Sequence, residues 1–122
     1  MENRYKPSLH RLIDFHKANG EHAILVSQPT HPRARQHDID DALSPVPADM
    51  RSWILALAAM NAATEQVCRE RSYACYFIDV AGKLPVEMSD FYDLAHTTPS
   101  GSRKLGRFIS RQLQALTVPS GL

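Results

Sequence analysis

An aspartate and a histidine three positions apart, Asp93 and His96, form the pair in this chain whose chemistry is easiest to name. They stand in the stretch DFYDLAHTTPSGSRKLGRFI, just before a predicted helix start. A carboxylate on a tight turn can accept a hydrogen bond from the imidazole Nδ1–H of a nearby histidine. That bond fixes the tautomer and stabilises the imidazolium when Nε2 takes a proton. The spacing predicts a general base oriented by a carboxylate, although Asp-x-x-His alone also fits a polar pair that caps a helix.

A general base needs a nucleophile to activate, and the sequence offers no suitable one. Ser27 follows an apolar run but lacks the glycine-flanked turn of a nucleophile elbow, so we interpret it as a structural hydroxyl at a strand end. Ser100 and Ser102 fall in the first turn of a predicted helix, where a hydroxyl suits capping. Cys75 falls inside a predicted strand, where a buried thiol is expected. We therefore expect no nucleophile in this chain.

A metal site has little support in the spacing of the remaining polar residues. His31 and His37 flank a loop beside the acidic residues of 38–41, but no HExxH or CxxC spacing accompanies them. Asp79 ends a predicted strand, where both a place in the site and a turn-capping role stay open. The other histidines are assigned to two faces of a helix and to a strand start: His10, His16 and His22. We expect no metal and no cofactor.

Five elements that would position the pair are predicted, in the order α-β-α-β-α. Hydrophobic spacing and the placement of proline and glycine give a helix from Pro7 to Gly20, a strand in HAILVSQP, a helix over about 48–71, a strand in ACYFIDV and a helix that Thr98 caps and Pro99 starts. Both strands are continuously apolar, which favours burial on both faces of a parallel sheet. Two strands joined by a helix must run parallel, with a right-handed crossover.

Two parallel strands form only a thin core and leave two open edges. Residues 1–122 are therefore predicted to form a single partial domain, half of a doubly wound α/β fold. A missing N-terminal half or a second copy of the chain would have to cover the open edge. In open α/β sheets, sites form beyond the carboxyl ends of the strands, and the loop after Asp79 places Asp93 and His96 there. The long loop over 30–47 is expected to be functional or mobile.

Composition excludes several other classes of protein. With 43% hydrophobic and 22% charged residues, the chain has the make-up of an ordinary globular domain. The net charge of +1 gives no footprint for nucleic acid, and we interpret Arg103, Lys104 and Arg107 as the solvent-facing side of an amphipathic helix. No apolar run approaches the roughly 20 residues of a membrane span, and no signal peptide is visible, which would fit the cytoplasm if the N-terminus is genuine. Cys68 and Cys75 are interpreted as buried free thiols rather than as a bridge or a reactive thiol.

The stretch FYDLAHTTPSGSRKLGRFI resembles the last conserved block of the SGNH/GDSL hydrolase family. That block is an Asp-x-x-His followed by Ser/Thr-Pro-x-Gly and an amphipathic helix, and the matching residues are Asp93, His96, Thr98, Pro99 and Gly101. Upstream, LHRLIDFHKANGEHAILVSQP and MNAATEQVCRERSYACYFIDV are similar to two helix–strand pairs of the family. The resemblance thus spans nearly the whole chain.

The resemblance implies a flavodoxin-like three-layer α/β/α fold with a parallel sheet, of which this chain would be the C-terminal half. It also implies an esterase, lipase or acyl-hydrolase acting on a small-molecule ester, in which Asp93 orients His96 as base for a serine. In the family, that serine and the oxyanion-hole glycine and asparagine lie in three earlier blocks. None of these blocks is present, since Asn3 and Asn19 lack the right neighbours and the chain would begin just after the third block. The isolated chain is expected to be inactive.

Two functions of other classes remain open. One is a non-catalytic remnant or interaction module that pairs its open sheet edge with a partner or with a second copy. The other is a small receiver-type or other flavodoxin-like binding domain. The latter needs acidic residues clustered at a strand end for a metal or phosphate, which the SQP at the end of the first strand does not offer.

Overall fold

The computed structural model describes residues 2–32 and 48–117. In chain order its elements are helix α1 (Glu2–Ala18), strand β1 (Ala23–Val26), helix α2 (Ala48–Glu70), strand β2 (Cys75–Ile78), the short helix α3 (Val80–Lys83), a 3-10 turn (Met88–Asp90) and helix α4 (Pro99–Thr117). The predicted order α-β-α-β-α is confirmed, with α3 and the 3-10 turn added in the loop after Asp79. Most of the predicted loop over 30–47, with His37 and the acidic residues of 38–41, lies outside the described residues.

The chain divides into two compact units. The first unit comprises Met1–Gln28 and Ala48–Asp79, and the second comprises Pro29–Pro47 and Val80–Leu122. The first unit contains the sheet, in which β1 and β2 run parallel with Ala23 opposite Cys75 and Val26 opposite Ile78. This pairing confirms the prediction that the two strands run parallel. Across residues 2–32 and 48–117 the fold is therefore mixed helix and strand, with a two-stranded parallel sheet in the first unit.

Helix α1 begins earlier than the sequence predicted. It starts at Glu2, so that Pro7 lies inside the helix rather than at its first position. Proline lacks an N–H and its ring crowds the carbonyl four residues earlier, so the helix loses one hydrogen bond of its ladder at this position. The predicted stop is confirmed, because Gly20 adopts a positive φ of 75° and its N–H donates to the carbonyl of Lys17. Such a left-handed residue after the last turn is how helices commonly end.

The core of the first unit lies between the helices and one face of the sheet. Ile13 of α1 and Val67 of α2 are fully buried, and they pack with Ala23 and Leu25 of β1. The opposite face of β1 differs from the prediction of burial on both faces. Ile24 and Val26 are 44% and 37% exposed, because no described element covers that side of the strand. The continuous apolar sequence of β1 therefore does not mean that both faces of this strand are covered by the described residues.

The interpretation of the two cysteines as free thiols is wrong. Cys68, near the end of α2, and Cys75, the first residue of β2, form a disulfide with their Cα atoms 5.3 Å apart. The turn between them brings the helix end back beside the strand start, within the Cα separation that a disulfide spans. Both cysteines are buried in the core of the first unit. The disulfide therefore links the end of α2 covalently to the start of β2 within the core.

The described part of the second unit contains α3, the 3-10 turn, the segment 91–98 and α4. Leu105, Phe108, Ile109, Leu113 and Leu116 were predicted to share the inner face of the last helix, and each of them is half-buried. Val80, Leu84 and Phe91 supply fully or nearly fully buried side chains. No helix among residues 2–32 and 48–117 is both long enough and apolar enough to cross a lipid bilayer.

Candidate functional site

Asp93 and His96 form the hydrogen bond that their spacing predicts. Oδ2 of Asp93 lies 2.7 Å from Nδ1 of His96, and the two groups also count as an ion pair whenever the imidazole is protonated. The other oxygen, Oδ1, accepts the backbone N–H groups of Ala95 at 2.9 Å and His96 at 2.7 Å. One carboxylate thus holds both the turn and the ring that projects from it. The His96 side chain is 81% exposed, so its Nε2 edge is accessible to solvent and to a reactant.

The same hydrogen bonds lower the pKa of Asp93 to about 2. The backbone N–H of His96 contributes most, followed by the N–H of Ala95 and by the imidazole itself, because each of them favours the charged carboxylate. Asp93 is therefore ionised at any physiological pH. An ionised carboxylate on Nδ1 orients the ring and favours the tautomer whose Nε2 can accept a proton.

The turn carrying the pair is closed by backbone hydrogen bonds on both sides of Asp93. Phe91 and Thr97 form an antiparallel bridge, and the N–H of Tyr92 donates to the carbonyl of His96 at 2.8 Å. The N–H of His31 donates to the carbonyl of Leu94 at 3.0 Å, which ties residues 29–32 to the same turn. These bonds fix the backbone at both ends of the Asp93–His96 contact.

Thr98 caps helix α4 and fixes it to the 3-10 turn. Its Oγ1 accepts the N–H of Gly101 at 3.2 Å and donates to the carbonyl of Ser89 at 3.0 Å. This hydroxyl satisfies one of the free donors in the first turn of the helix, as the sequence predicted for a threonine before a proline. The N–H of Thr98 in turn donates to the carbonyl of Asp90 at 2.9 Å.

The sequence did not single out Asp90, the buried carboxylate beneath this turn. Its Oδ2 accepts the N–H of Glu87 at 2.8 Å and pairs with Nζ of Lys104 at 2.6 Å. The pKa of Asp90 is lowered, first by Lys104 and then by the Glu87 N–H, and the pKa of Lys104 is raised by its hydrogen bond to Asp90. The sequence predicted Lys104 to be solvent-facing. Its side chain is 36% exposed, but its ammonium group joins α4 to the 3-10 turn. No local spacing could have revealed this pair, because its members are 14 residues apart.

The close approach between the 3-10 turn and α4 explains the glycine at 101. A Cβ atom at this position would lie 2.1 Å from the carbonyl oxygen of Asp90 and 2.9 Å from its carbonyl carbon. Only a residue without a side chain allows the first turn of α4 to rest against that backbone. Gly101, Thr98 and Asp90 together set the distance between the helix start and the turn that holds Asp93.

The predicted serines lie where the sequence placed them. The hydroxyls of Ser100 and Ser102 contact those of Thr98 and Thr97, in the first turn of α4. Ser27, in the first unit, is buried, and its Oγ donates to Oδ1 of Asp79 at 3.0 Å. Ser27 and Asp79 follow neighbouring parallel strands, which explains why they meet, but the sequence analysis did not pair them.

A second contact that the sequence missed fixes the chain after β1. The side-chain amide of Asn61, on α2, accepts the N–H of Gln28 at 2.9 Å and donates to its carbonyl at 3.0 Å. The amide thus takes the place of a neighbouring strand at this point. An asparagine in the middle of a helix gives no sign of such a role in the sequence.

Three other histidines, His10, His16 and His22, contact neighbouring side chains. His10 accepts a hydrogen bond from Nε of Arg71, His16 lies 3.4 Å from Glu21, and His22 is exposed and stacks on Tyr76. Within residues 2–32 and 48–117, no three His, Cys, Asp or Glu side chains come together in a way that could hold a metal ion.

Comparison with protein-family models, with curated proteins and with solved structures gave no match to this chain.

Proposed function

We propose that this chain supplies the acid–base part of an SGNH-type ester hydrolase, with Asp93 orienting His96 as general base for a serine outside the chain. The observation that carries the proposal is the 2.7 Å contact between Oδ2 of Asp93 and Nδ1 of His96. The resemblance of the surrounding residues to the last block of that family supports the same proposal. The proposal also implies that the two-stranded sheet is part of a larger, flavodoxin-like three-layer fold.

The chemistry proposed for the pair is proton transfer in two steps. In the first, Nε2 of His96 takes the proton of the serine hydroxyl as its oxygen attacks the ester carbonyl, and the imidazolium then gives that proton to the leaving alcohol. In the second, His96 takes a proton from water, whose oxygen attacks the acyl-enzyme, and the proton returns to the serine as the acid is released. Asp93 stays ionised throughout and stabilises the imidazolium through Nδ1.

The test uses the native gene product that carries these residues together with the serine-bearing segment. With p-nitrophenyl acetate as substrate, we expect His96→Ala to lower kcat by at least about a thousandfold, because the serine then lacks its base. Asp93→Asn should lower it by a comparable factor, since the ring loses its orienting carboxylate. The matched control is His22→Ala, which removes another exposed histidine, in the first unit, and should leave kcat unchanged. Full activity in the His96→Ala variant would show that the proposal is wrong.

A second candidate function is suggested by the sheet itself. Among the described residues, β1 and β2 pair only with each other, and Ile24 and Val26 present apolar side chains to solvent on one face. An open edge beside an apolar face is typical of a strand that pairs with another chain. We propose, as the alternative, that the chain is a non-catalytic module whose β1 edge pairs with a second copy.

Sedimentation velocity of the 122-residue chain separates the two proposals. A concentration-dependent dimer of this chain that Val26→Lys dissociates would favour the interaction module, if His96→Ala also leaves the esterase activity of the serine-bearing protein unchanged. The control is Met88→Lys, which places the same charge at a more exposed apolar side chain of the second unit. A monomer at all concentrations would exclude self-pairing through β1.

A further inference from the structure

The second unit contains a cavity of about 700 Å³ beside helix α4. Its walls come from the segment after α3, from the 3-10 turn and from one side of α4. Leu84, Pro85 and Phe108 form an apolar part of the lining, and Arg103, Arg107 and Arg111 form a charged part. Cavities of a few hundred to a thousand cubic ångströms that combine apolar walls with a few polar groups are the usual sites for small molecules.

The three arginines repeat every four residues along α4 and therefore lie on the same side of the helix. Successive members are about 6 Å apart along the helix axis, close enough for their long side chains to converge on one ligand. All three side chains are exposed, and no carboxylate among the described residues pairs with any of them. They are therefore available to an anion from solution.

The carboxylates in the same lining do not neutralise this charge. Asp90 is buried and committed to Lys104, so these two charges cancel each other within the wall. Glu87 is the other acidic residue of the lining, and it stands against three guanidinium groups. The cavity thus keeps an excess of positive charge. Three like charges along one face repel one another, and an anionic ligand would relieve that repulsion.

We propose that this cavity binds a small organic phosphate, with the phosphate held by Arg107 and its neighbours and the organic part packed on Phe108, Leu84 and Pro85. The planar guanidinium group matches the oxygens of a phosphate in a bidentate geometry, and phosphate carries about two negative charges near neutral pH. The apolar lining favours a ligand whose remainder is hydrophobic or aromatic. This proposal is independent of ester hydrolysis at His96 and adds a binding role to Arg103 and Arg107, which the sequence analysis interpreted only as part of a solvated helix face.

The proposal is tested by calorimetry on the intact 122-residue chain, with phenyl phosphate and inorganic phosphate as probes. We expect saturable binding of phenyl phosphate, several-fold tighter than that of inorganic phosphate, because the ring adds contact with Phe108. The double variant Arg107→Gln/Arg111→Gln should bind phenyl phosphate at least about tenfold more weakly, since it removes two guanidinium groups that would donate charge-assisted hydrogen bonds to the phosphate. Both residues are exposed, so these substitutions leave the packing of the second unit intact.

The matched control is Arg69→Gln, which removes an exposed arginine of the first unit that pairs with Glu65. This variant should bind phenyl phosphate as the unchanged chain does. An equal loss of affinity in the control would mean that binding follows net charge rather than the cavity, and would overturn the proposal. If phenyl phosphate does not bind, the proposal is wrong. This holds even if the chain binds vesicles that contain phosphatidic acid, because the proposed ligand is a small soluble molecule. Equal affinity for the two probes would refute the assignment of the apolar wall to the ligand.

Discussion

Replacing Gly101 with alanine tests whether the close contact between α4 and the 3-10 turn holds the second unit together. The new Cβ atom would lie 2.1 Å from the carbonyl oxygen of Asp90, more than about 1 Å inside an ordinary contact distance. The obstructing atoms belong to the backbone, so no side-chain rotation can relieve the clash. Helix α4 must move away from the turn, and the N–H of Thr98 then loses its 2.9 Å hydrogen bond to the same carbonyl.

Two opposing effects set the magnitude. Alanine is favoured over glycine in a helix by about 1 kcal/mol, which acts to stabilise the variant. Overpacking costs about 1–3 kcal/mol or more, and the lost backbone hydrogen bond adds about 1 kcal/mol. We therefore expect the free energy of unfolding of Gly101→Ala to fall by about 1–3 kcal/mol, measured by urea denaturation with circular dichroism.

Helix α4 offers a matched control for this experiment. Gly106 lies in the same helix, and a Cβ atom there would meet nothing within 4 Å. Gly106→Ala should therefore gain about 0.5–1 kcal/mol from helix propensity alone. The two substitutions are thus expected to change the free energy of unfolding in opposite directions, and the two variants should differ by about 1.5–4 kcal/mol. Equal stability of the two variants would refute the contact on which the reasoning depends.

Three further predictions concern the turn, the disulfide and the loop after β1. Because the pKa of Asp93 is lowered to about 2 from 3.8, its carboxylate stabilises the folded turn above about pH 4, and this contribution is lost as the pH falls from about 4 towards 2. A midpoint near 4 in a carbon-13 NMR titration of that carboxyl would contradict the geometry. Reduction of the Cys68–Cys75 disulfide, which joins residues seven apart, should lower the free energy of unfolding by about 2.5 kcal/mol in urea denaturation, and no change would argue against a closed bridge. Asn61→Ala should destabilise the first unit by about 1–2 kcal/mol and speed amide exchange of Gln28, whereas unaltered exchange would exclude the side-chain bond.

The features that the sequence predicted correctly depend on short-range rules. The order of elements follows from hydrophobic spacing and from proline and glycine, and the parallel pairing follows from the helix between the strands. The Asp93–His96 contact follows from a spacing of three residues, and Thr98 was recognisable as a cap because it precedes a proline. Each of these rules operates within a few residues or follows directly from connectivity.

The features that the sequence missed depend on contacts between distant residues or on what covers a surface. Asp90 can be buried because Lys104, 14 residues further along the chain, pairs with it. Cys68 and Cys75 were interpreted as thiols because sequence alone did not fix how the turn after α2 brings their Cα atoms together. The strand with Ile24 and Val26 was predicted to be buried on both faces. Hydrophobicity shows which environment a side chain favours, but it does not show whether another element covers that side chain.

The turn that carries Asp93 and His96 is closed almost entirely by partners near in sequence. The contacts of Asp93, Thr98 and Asp90 described above join residues no more than 14 apart, whereas the pairing of β1 with β2 joins residues 52 apart, as in Ala23 and Cys75. Bringing chain ends together costs conformational entropy that rises with the length of the loop, and local contacts form faster than distant ones. The acid–base turn can therefore assemble before the sheet does and can persist when the sheet opens, so its chemistry is encoded in a segment of about 20 residues.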